Sequence, residues 1–361
     1  MWSDQSLKLL IAVDKSRFTH LKPFVNELSK LGIDCKMVDD LNIYSHSMFD
    51  KKYFRWIKTP EQFTRIITDY KPDMVFTERT SHFSLLTIKS KIPLFIFLRG
   101  DPWSESKIAK QTMSFSKIDC LNIWIKERIA KKCFKNASLI LPICKYLENI
   151  VKQYYPKKNI SVFYQGIDLS EWHQVNKMEL KHPCVGLLQG AWIWGKAKEM
   201  LTLAKVMEAM PDVMFYWAGD GPYRDRILPV LSKYENFKWL GALEYPDKVR
   251  EYLSSIDVYA LLSGLDMAPH TVLEAAAMKK PVVATNVGGI PELVNNESSY
   301  LIEIGNYKEW IDKLLILIND ENKRKQMGLA GYEFVKKKFT WNVIVKRFVQ
   351  IIDAAKFRIQ D

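Results

Sequence analysis

Four short segments combine glycine, proline and charged residues in patterns suited to a phosphorylated ligand. In one, Ala218-Gly219-Asp220-Gly221-Pro222 follows the apolar run 213–217. Glycine lets the backbone turn tightly and approach a ligand, and proline suits the opening of a helix. A plain strand–helix turn reads the same way. In a second, residues 263–274 follow the apolar run 258–261 and hold Asp266, Pro269, His270, Thr271 and Glu274. With Pro269 as the first helical residue, the N–H groups of His270, Thr271 and Val272 would point out of an electropositive helix end. Asp266 and Glu274 would flank that cradle and accept from sugar or ribose hydroxyls. The alternative is a capping aspartate and a solvated glutamate.

The other two segments are similar. After run 281–284 come Gly288, Gly289 and Pro291; after run 185–188 come Gln189, Gly190, Trp192, Trp194 and Lys196. Lys196 would open a helix there and meet a pyrophosphate as a point charge. Open α/β sheets bind ligands beyond the carboxyl ends of their strands. Four such turns on one sheet would describe a cleft for a diphosphate with a sugar or ribose on each side.

The elements that must position these turns follow from periodicity. Apolar runs at 9–13, 74–76, 94–98, 138–141 and 160–163 alternate with helical spacing such as Leu21, Phe24, Val25, Leu28 and Leu31. The second half repeats the scheme. Its strands are 185–188, 213–217, 237–240, 258–261, 281–284 and 300–302, and its helices are 196–210, 223–233, 247–255 and 269–279. This is an α/β chain with doubly wound parallel sheets covered on both faces. A length of 361 residues suits two domains. Residues 168–183 are polar, lack periodicity and read as the linker. The closing segment 341–357 is an amphipathic helix with an apolar face to bury.

The motifs carry a resemblance. Gly219-Asp220-Gly221-Pro222, Asp266-x7-Glu274 followed by Ala275, and Lys280-Pro281-Val282-Val283-Ala284-Thr285-x2-Gly288-Gly289-x-Pro291-Glu292 resemble the C-terminal half of retaining glycosyltransferases of family 4. Tyr164-Gln165-Gly166-Ile167-Asp168 is similar to that family's hinge signature. The resemblance is strong over 185–295 and faint before residue 90. It implies the GT-B architecture, two Rossmann-like domains facing across a cleft. An acceptor-binding domain would span 1–167 plus 341–361, and a donor-binding domain 168–340. It implies that the donor is a nucleotide diphosphate sugar. Glu274 would hold the ribose, Asp266 the transferred sugar and Lys196 the diphosphate. Gly190, Gly219, Asp220, Gly221, Pro269, His270, Thr271, Gly288 and Gly289 would line the site.

Three positions depart from the family pattern. Aspartate stands at 266 instead of glutamate. Ala191 replaces an arginine that would clamp phosphate through two parallel bonds. Residues 14–18 replace a glycine-rich turn, and Lys15 or Arg17 could supply the missing cation. These departures also motivate a second reading, a non-catalytic nucleotide-sugar-binding or scaffold relative.

No Asp-x-Asp occurs in the chain, and no His/Cys cluster has metal-ligand spacing. A site without metal or other cofactor is therefore expected, with Lys196 and the helix end stabilising the leaving diphosphate. The resemblance implies that the acceptor hydroxyl attacks from the leaving-group side, which gives retention. In the first half, Arg99-Gly100-Asp101 takes the place of a family His-Gly. Asp101 is read as a general base or acceptor-orienting group, with helix capping as the alternative. Arg79 and His82 follow another strand end and could line the same cleft.

The composition is that of a globular protein, with 48% hydrophobic and 26% charged residues, which excludes a disordered or fibrous chain. The formal net charge is +12. Residues 1–170 hold 28 Lys and Arg against 17 Asp and Glu, whereas the remainder holds 25 against 24. An anionic partner for the first half follows, and a lipid-linked or glycan acceptor at an anionic membrane surface fits best. Residues 51–58 interleave basic and aromatic side chains, as a membrane interface favours. The helix containing Arg128, Lys131, Lys132 and Lys135 reads as a core-facing helix with a solvated basic face. No recognisable nucleic-acid module supports nucleic-acid binding. Five scattered cysteines and the lack of a signal peptide suggest a cytoplasmic protein, peripheral at the inner face of the membrane.

Overall fold

The computed structural model describes residues 6–39, 60–112 and 117–357. The basic–aromatic segment 51–58 lies outside them. The chain divides into two compact units, Met1–Gly166 with Trp341–Asp361, and Ile167–Thr340.

The first unit runs β1 (Lys8–Val13), α1 (Lys15–Lys30), β2 (Asp34–Asp39), α2 (Pro60–Tyr70), β3 (Met74–Glu78), α3 (His82–Lys89), β4 (Leu94–Leu98), α4 (Pro102–Thr112), α5 (Lys117–Asn136), β5 (Leu139–Pro142) and α6 (Lys145–Tyr154). Its sheet is parallel with order β2-β1-β3-β4-β5. The three strands β3, β4 and β5 are buried at every residue, as strands covered by helices on both faces must be. Strand β2 is at the edge and exposes Asp34 and Lys36. Its polar alternation hides it from a search for apolar runs. The run 160–163, expected as a strand, lies beside β5 as a bridge from Ile160 to Ile140, with Phe163 N donating to Pro142 O at 2.8 Å, and not as a full strand.

The second unit runs β6 (Cys184–Leu188), α7 (Trp194–Ala197), a 3-10 turn Lys198–Thr202, α8 (Leu203–Ala209), β7 (Met214–Ala218), α9 (Arg224–Leu231), β8 (Phe237–Gly241), α10 (Asp247–Ser255), β9 (Val258–Leu261), α11 (His270–Ala277), β10 (Val282–Thr285), β11 (Ser299–Ile302), α12 (Tyr307–Asn319) and α13 (Glu321–Lys338). The helix expected over 196–210 is thus three pieces. The six strands are parallel in the order β11-β10-β9-β6-β7-β8. Both sheets are doubly wound and Rossmann-like. Among the described residues no helix is long and apolar enough to cross a membrane.

The closing helix α14 (Trp341–Phe357) belongs to the first unit and packs on α1. Its Phe348 enters an aromatic cluster, with ring centroids 5.1 Å from Phe24, 5.0 Å from Phe163 and 6.0 Å from Phe76. The Trp341 indole lies against the Cα of Gly166, where any side chain would collide with the ring. The face that the sequence left unpartnered is therefore core.

Lys280, at the entry to β10, is half-buried with Nζ donating to the carbonyls of Ser254 and Ile256 at 3.1 and 2.8 Å. Burial lowers its pKa to about 8.

Two stability predictions follow from this packing. Phe348→Ala should destabilise the first unit by about 3–5 kcal/mol, because a large buried ring leaves a cavity. Chemical denaturation should show that loss with the second unit's transition unmoved. For Lys280, the unfolded chain keeps its proton to about pH 10.4 and the folded chain to about pH 8. The unfolded state binds more protons between those values, so this residue favours folding progressively as pH rises through that window. The stability of wild type relative to Lys280→Met should rise by up to about 3 kcal/mol from pH 7 to pH 10; a difference independent of pH would contradict this.

Candidate functional site

The four turns singled out by sequence leave the carboxyl ends of β10, β9, β6 and β7, which are four adjacent strands. Strand order reverses at β6, whose neighbours are β9 on one side and β7 on the other. Lys196 follows β6 and Asp266 follows β9, and they meet at that switch point. Lys196 Nζ donates to Asp266 Oδ1 at 2.9 Å, with both side chains partly exposed. The two loops also touch through backbone, Gly264 N to Lys196 O at 3.1 Å. Gln189 ties the same strands, its amide donating to Leu262 O at 2.9 Å and accepting from Leu262 N at 3.2 Å.

Gly288 and Gly289 set the other wall. Gly288 has φ +59°, and a Cβ there would overlap Asp266 O. Gly289 N donates to that oxygen at 3.0 Å. These glycines fix where the Asp266 backbone lies. Asp266 Oδ1 also accepts from Met267 N at 3.0 Å and does not cap α11.

Glu274 is buried, with 3% of its surface exposed. It is not the solvated glutamate of the alternative reading. Its Oε1 accepts from His270 Nδ1 at 2.9 Å and from Tyr245 Oη at 3.2 Å. Burial and the Glu274 charge hold the Tyr245 phenol above its ordinary pKa, so it remains a donor. Tyr245 comes from the loop after β8, and no local pattern marks it as a partner of Glu274.

Several expectations are corrected. Pro269 is the residue before α11 rather than its first, with extended backbone. The Val272 N–H is used within the turn, donating to Pro269 O at 3.1 Å, so the outward amides are those of His270 and Thr271. Thr271 Oγ1 is held by Tyr259 Oη at 2.7 Å. The Asp220 carboxylate serves its own turn, accepting from Gly221 N at 2.7 Å and from Arg224 at 3.1 Å. Gly219 and Gly221 have φ of +152° and +147° and press on the backbone of Gln189 and Ala191. Gly190 lies under Trp192, which is 71% exposed. Ala191 is fully buried, so an arginine side chain has no room there without displacing core.

In the first unit the residues expected at a cleft are engaged locally. Asp101 is buried and caps α4, its Oδ1 accepting from Trp103 N at 3.0 Å and Ser104 N at 3.2 Å, while Oδ2 accepts from Ser104 Oγ. The capping alternative is thus present in the structure. Arg99 forms an ion pair with Glu78 at 3.1 Å, and Gly100 lies beneath the Glu105 carboxylate. Arg79 follows β3 with φ +63°, its carbonyl accepting from Thr77 and Ser84 hydroxyls. His82 opens α3 against Phe83, with ring centroids 4.2 Å apart. Lys15 is exposed in the first turn of α1. Arg17 shares that turn, and its side chain lies outside the described residues.

One grouping escaped the sequence. His182, Cys184 and Asp257 bring potential metal-donor atoms within 4.8 Å of one another. They lie where β6 and β9 begin, at the opposite edge of the sheet from the four turns. Asp257 Oδ2 accepts from His182 Nδ1 and from Cys184 N, both at 2.8 Å. Burial opposes ionisation of Asp257, but these bonds hold its carboxyl below the ordinary range. Burial pushes the Cys184 thiol up to about 12, so it is protonated at neutral pH. The three groups satisfy one another.

Comparison with known proteins supports this architecture. Residues 195–334 match the family described as glycosyl transferases group 1. A GDP-mannose-dependent monoacylated alpha-(1-6)-phosphatidylinositol monomannoside mannosyltransferase of Corynebacterium glutamicum is 28% identical over 168 residues, 44% of each chain. An uncharacterized glycosyltransferase of Methanocaldococcus jannaschii is 28% identical over 268 residues, 73% of this chain and 68% of its own. The chain thus spans less than half of the first relative's length. Among solved structures, sucrose-phosphate synthase of Thermosynechococcus elongatus superposes with TM-score 0.76 at 15% identity, over 96% of this chain and 98% of that one. Two Rossmann-like units of this kind are the GT-B fold, and over residues 195–334 the second of them is similar to the glycosyl transferases group 1 family.

Proposed function

We propose that this chain is a metal-independent retaining glycosyltransferase. It moves a hexose from a nucleotide diphosphate sugar to a lipid-linked acceptor at the cytoplasmic face of a membrane. The observation that carries the reading is the meeting of Lys196, Asp266 and the N-terminus of α11 at the switch point, with buried Glu274 one turn deeper. The GDP-mannose-dependent relative supports a nucleotide sugar as donor and a lipid glycan as acceptor.

Each group has a definite task. The Lys196 ammonium, already aimed by Asp266, meets the diphosphate as a fixed cation, and the amides of His270 and Thr271 add dipoles. With Glu274 Oε1 taken by His270 and Tyr245, Oε2 accepts from the ribose diol. Asp266 accepts from hydroxyls of the transferred hexose. The bond from the anomeric carbon to the diphosphate oxygen breaks as the acceptor oxygen bonds to the same face of that carbon. The acceptor proton passes to the departing phosphate oxygen, so no separate protein base is required. The absence of Asp-x-Asp in the sequence supports charge neutralisation by the protein's own cation and amides.

A second reading, a non-catalytic nucleotide-sugar-binding relative, is favoured by Ala191, whose burial removes the usual arginine without leaving room for it.

Two measurements test these readings. In a thermal-shift and calorimetric screen of UDP-, GDP-, ADP- and TDP-sugars, at least one should bind, and Glu274→Ala should weaken it about 10- to 100-fold, the worth of a charge-assisted hydrogen bond. Unchanged affinity in that variant would sink the site. Release of free nucleoside diphosphate from the bound donor separates the two readings. The enzyme should release it and Lys196→Ala should slow release about 100- to 1,000-fold, whereas binding with no release favours the non-catalytic relative.

A further inference from the structure

We propose that the outward face of α5 is a docking surface for an anionic lipid bilayer. Helix α5 spans 20 residues and packs on α3. Its inner side buries Cys133 and Phe134. At 100° per residue, Leu121, Trp124, Arg128, Lys131, Lys132 and Lys135 fall within about 100° of one another on the outer side. All six are exposed.

A merely solvated basic face accounts for the cations but not for Leu121 and Trp124, which are 54% and 50% exposed at the amino end of the same stripe. A core-facing helix would have turned them inward. The Arg128 guanidinium lies over the Trp124 ring, 4.7 Å from its centre, which joins the indole to the row of cations. No acidic residue of the helix falls in the arc, and Glu127 beside it accepts from Ser106 Oγ. The stripe from Leu121 to Lys135 is about 21 Å long.

Charge complementarity selects the occupant. A row of cations with a tryptophan and a leucine at one end matches an anionic bilayer, where indoles settle at headgroup level and aliphatic side chains leave water. The excess of Lys and Arg over Asp and Glu in residues 1–170 favours the same surface. A nucleic acid would meet the cations but offers an aliphatic side chain such as Leu121 little apolar surface to bury against. The inference deepens the proposed function by naming the surface that would carry the chain to a lipid-linked acceptor, and it rests on that reading only for its purpose. Docking itself requires no transfer.

The test uses the full chain in co-sedimentation with vesicles of phosphatidylcholine alone or with phosphatidylglycerol. Wild type should prefer the anionic vesicles. Each cation near such a surface is worth about fivefold, so Lys131→Gln with Lys132→Gln should weaken binding about 25-fold at low salt. Leu121→Ser with Trp124→Ser should weaken it at least about tenfold. Lys126→Gln, on the opposite side of the helix, should stay within about twofold of wild type. Circular dichroism should show every variant folded, and soluble nucleotide-sugar affinity should be unchanged, which separates failure of this surface from failure of the donor site. Equal binding to both vesicle types, arc variants that bind like wild type, or an equal loss in Lys126→Gln would overturn the proposal. So would tighter binding to single-stranded RNA with the same dependence on Trp124.

Discussion

A parallel sheet sends every strand's carboxyl end to one edge, and the candidate site of this protein depends on that constraint. Turns separated by up to about a hundred residues in the chain become neighbours because β10, β9, β6 and β7 are hydrogen-bonded in that order. The reversal at β6 opens room for a ligand, since the loops after β6 and β9 leave toward opposite faces. Lys196 and Asp266 close that gap with one ion pair, so each side chain holds the other in place.

Backbone contacts make the arrangement rigid. Gly288 and Gly289 fix Asp266 from the β10 side, Gly219 and Gly221 fix the β6 loop from the β7 side, and Gln189 joins β6 to β9. Glu274, 3% exposed, is held by hydrogen bonds from His270 and Tyr245.

The first unit is organised by different physics. Its core is aromatic, with Phe24, Phe76, Phe163 and Phe348 packed together, and that core is complete only when α14 contributes its ring. Its charged groups near the strand ends are spent locally: Asp101 on a helix cap, Arg99 on Glu78. The positive excess instead emerges on exposed faces such as that of α5.

The sequence by itself determined the alternation of strand and helix, the two parallel sheets and the four turns. Each rests on short-range rules: continuous apolar runs for strands buried on both faces, glycine where the backbone turns, proline near helix starts. Strand β2 was illegible because an edge strand needs no apolar run, and the helix over 196–210 breaks at Lys198–Thr202 where no proline or glycine announces it. Only the tertiary structure decided partners. Tyr245 and Glu274, or His182 and Asp257, are brought together by strand order, which leaves no periodic trace. The same holds for alternatives the sequence left open. Asp101 and Asp266 both stand before helices, yet one caps its helix and the other holds a lysine 70 residues away. Local sequence offers each carboxylate a helix end, and only the neighbouring loop decides whether a stronger, charged partner is within reach.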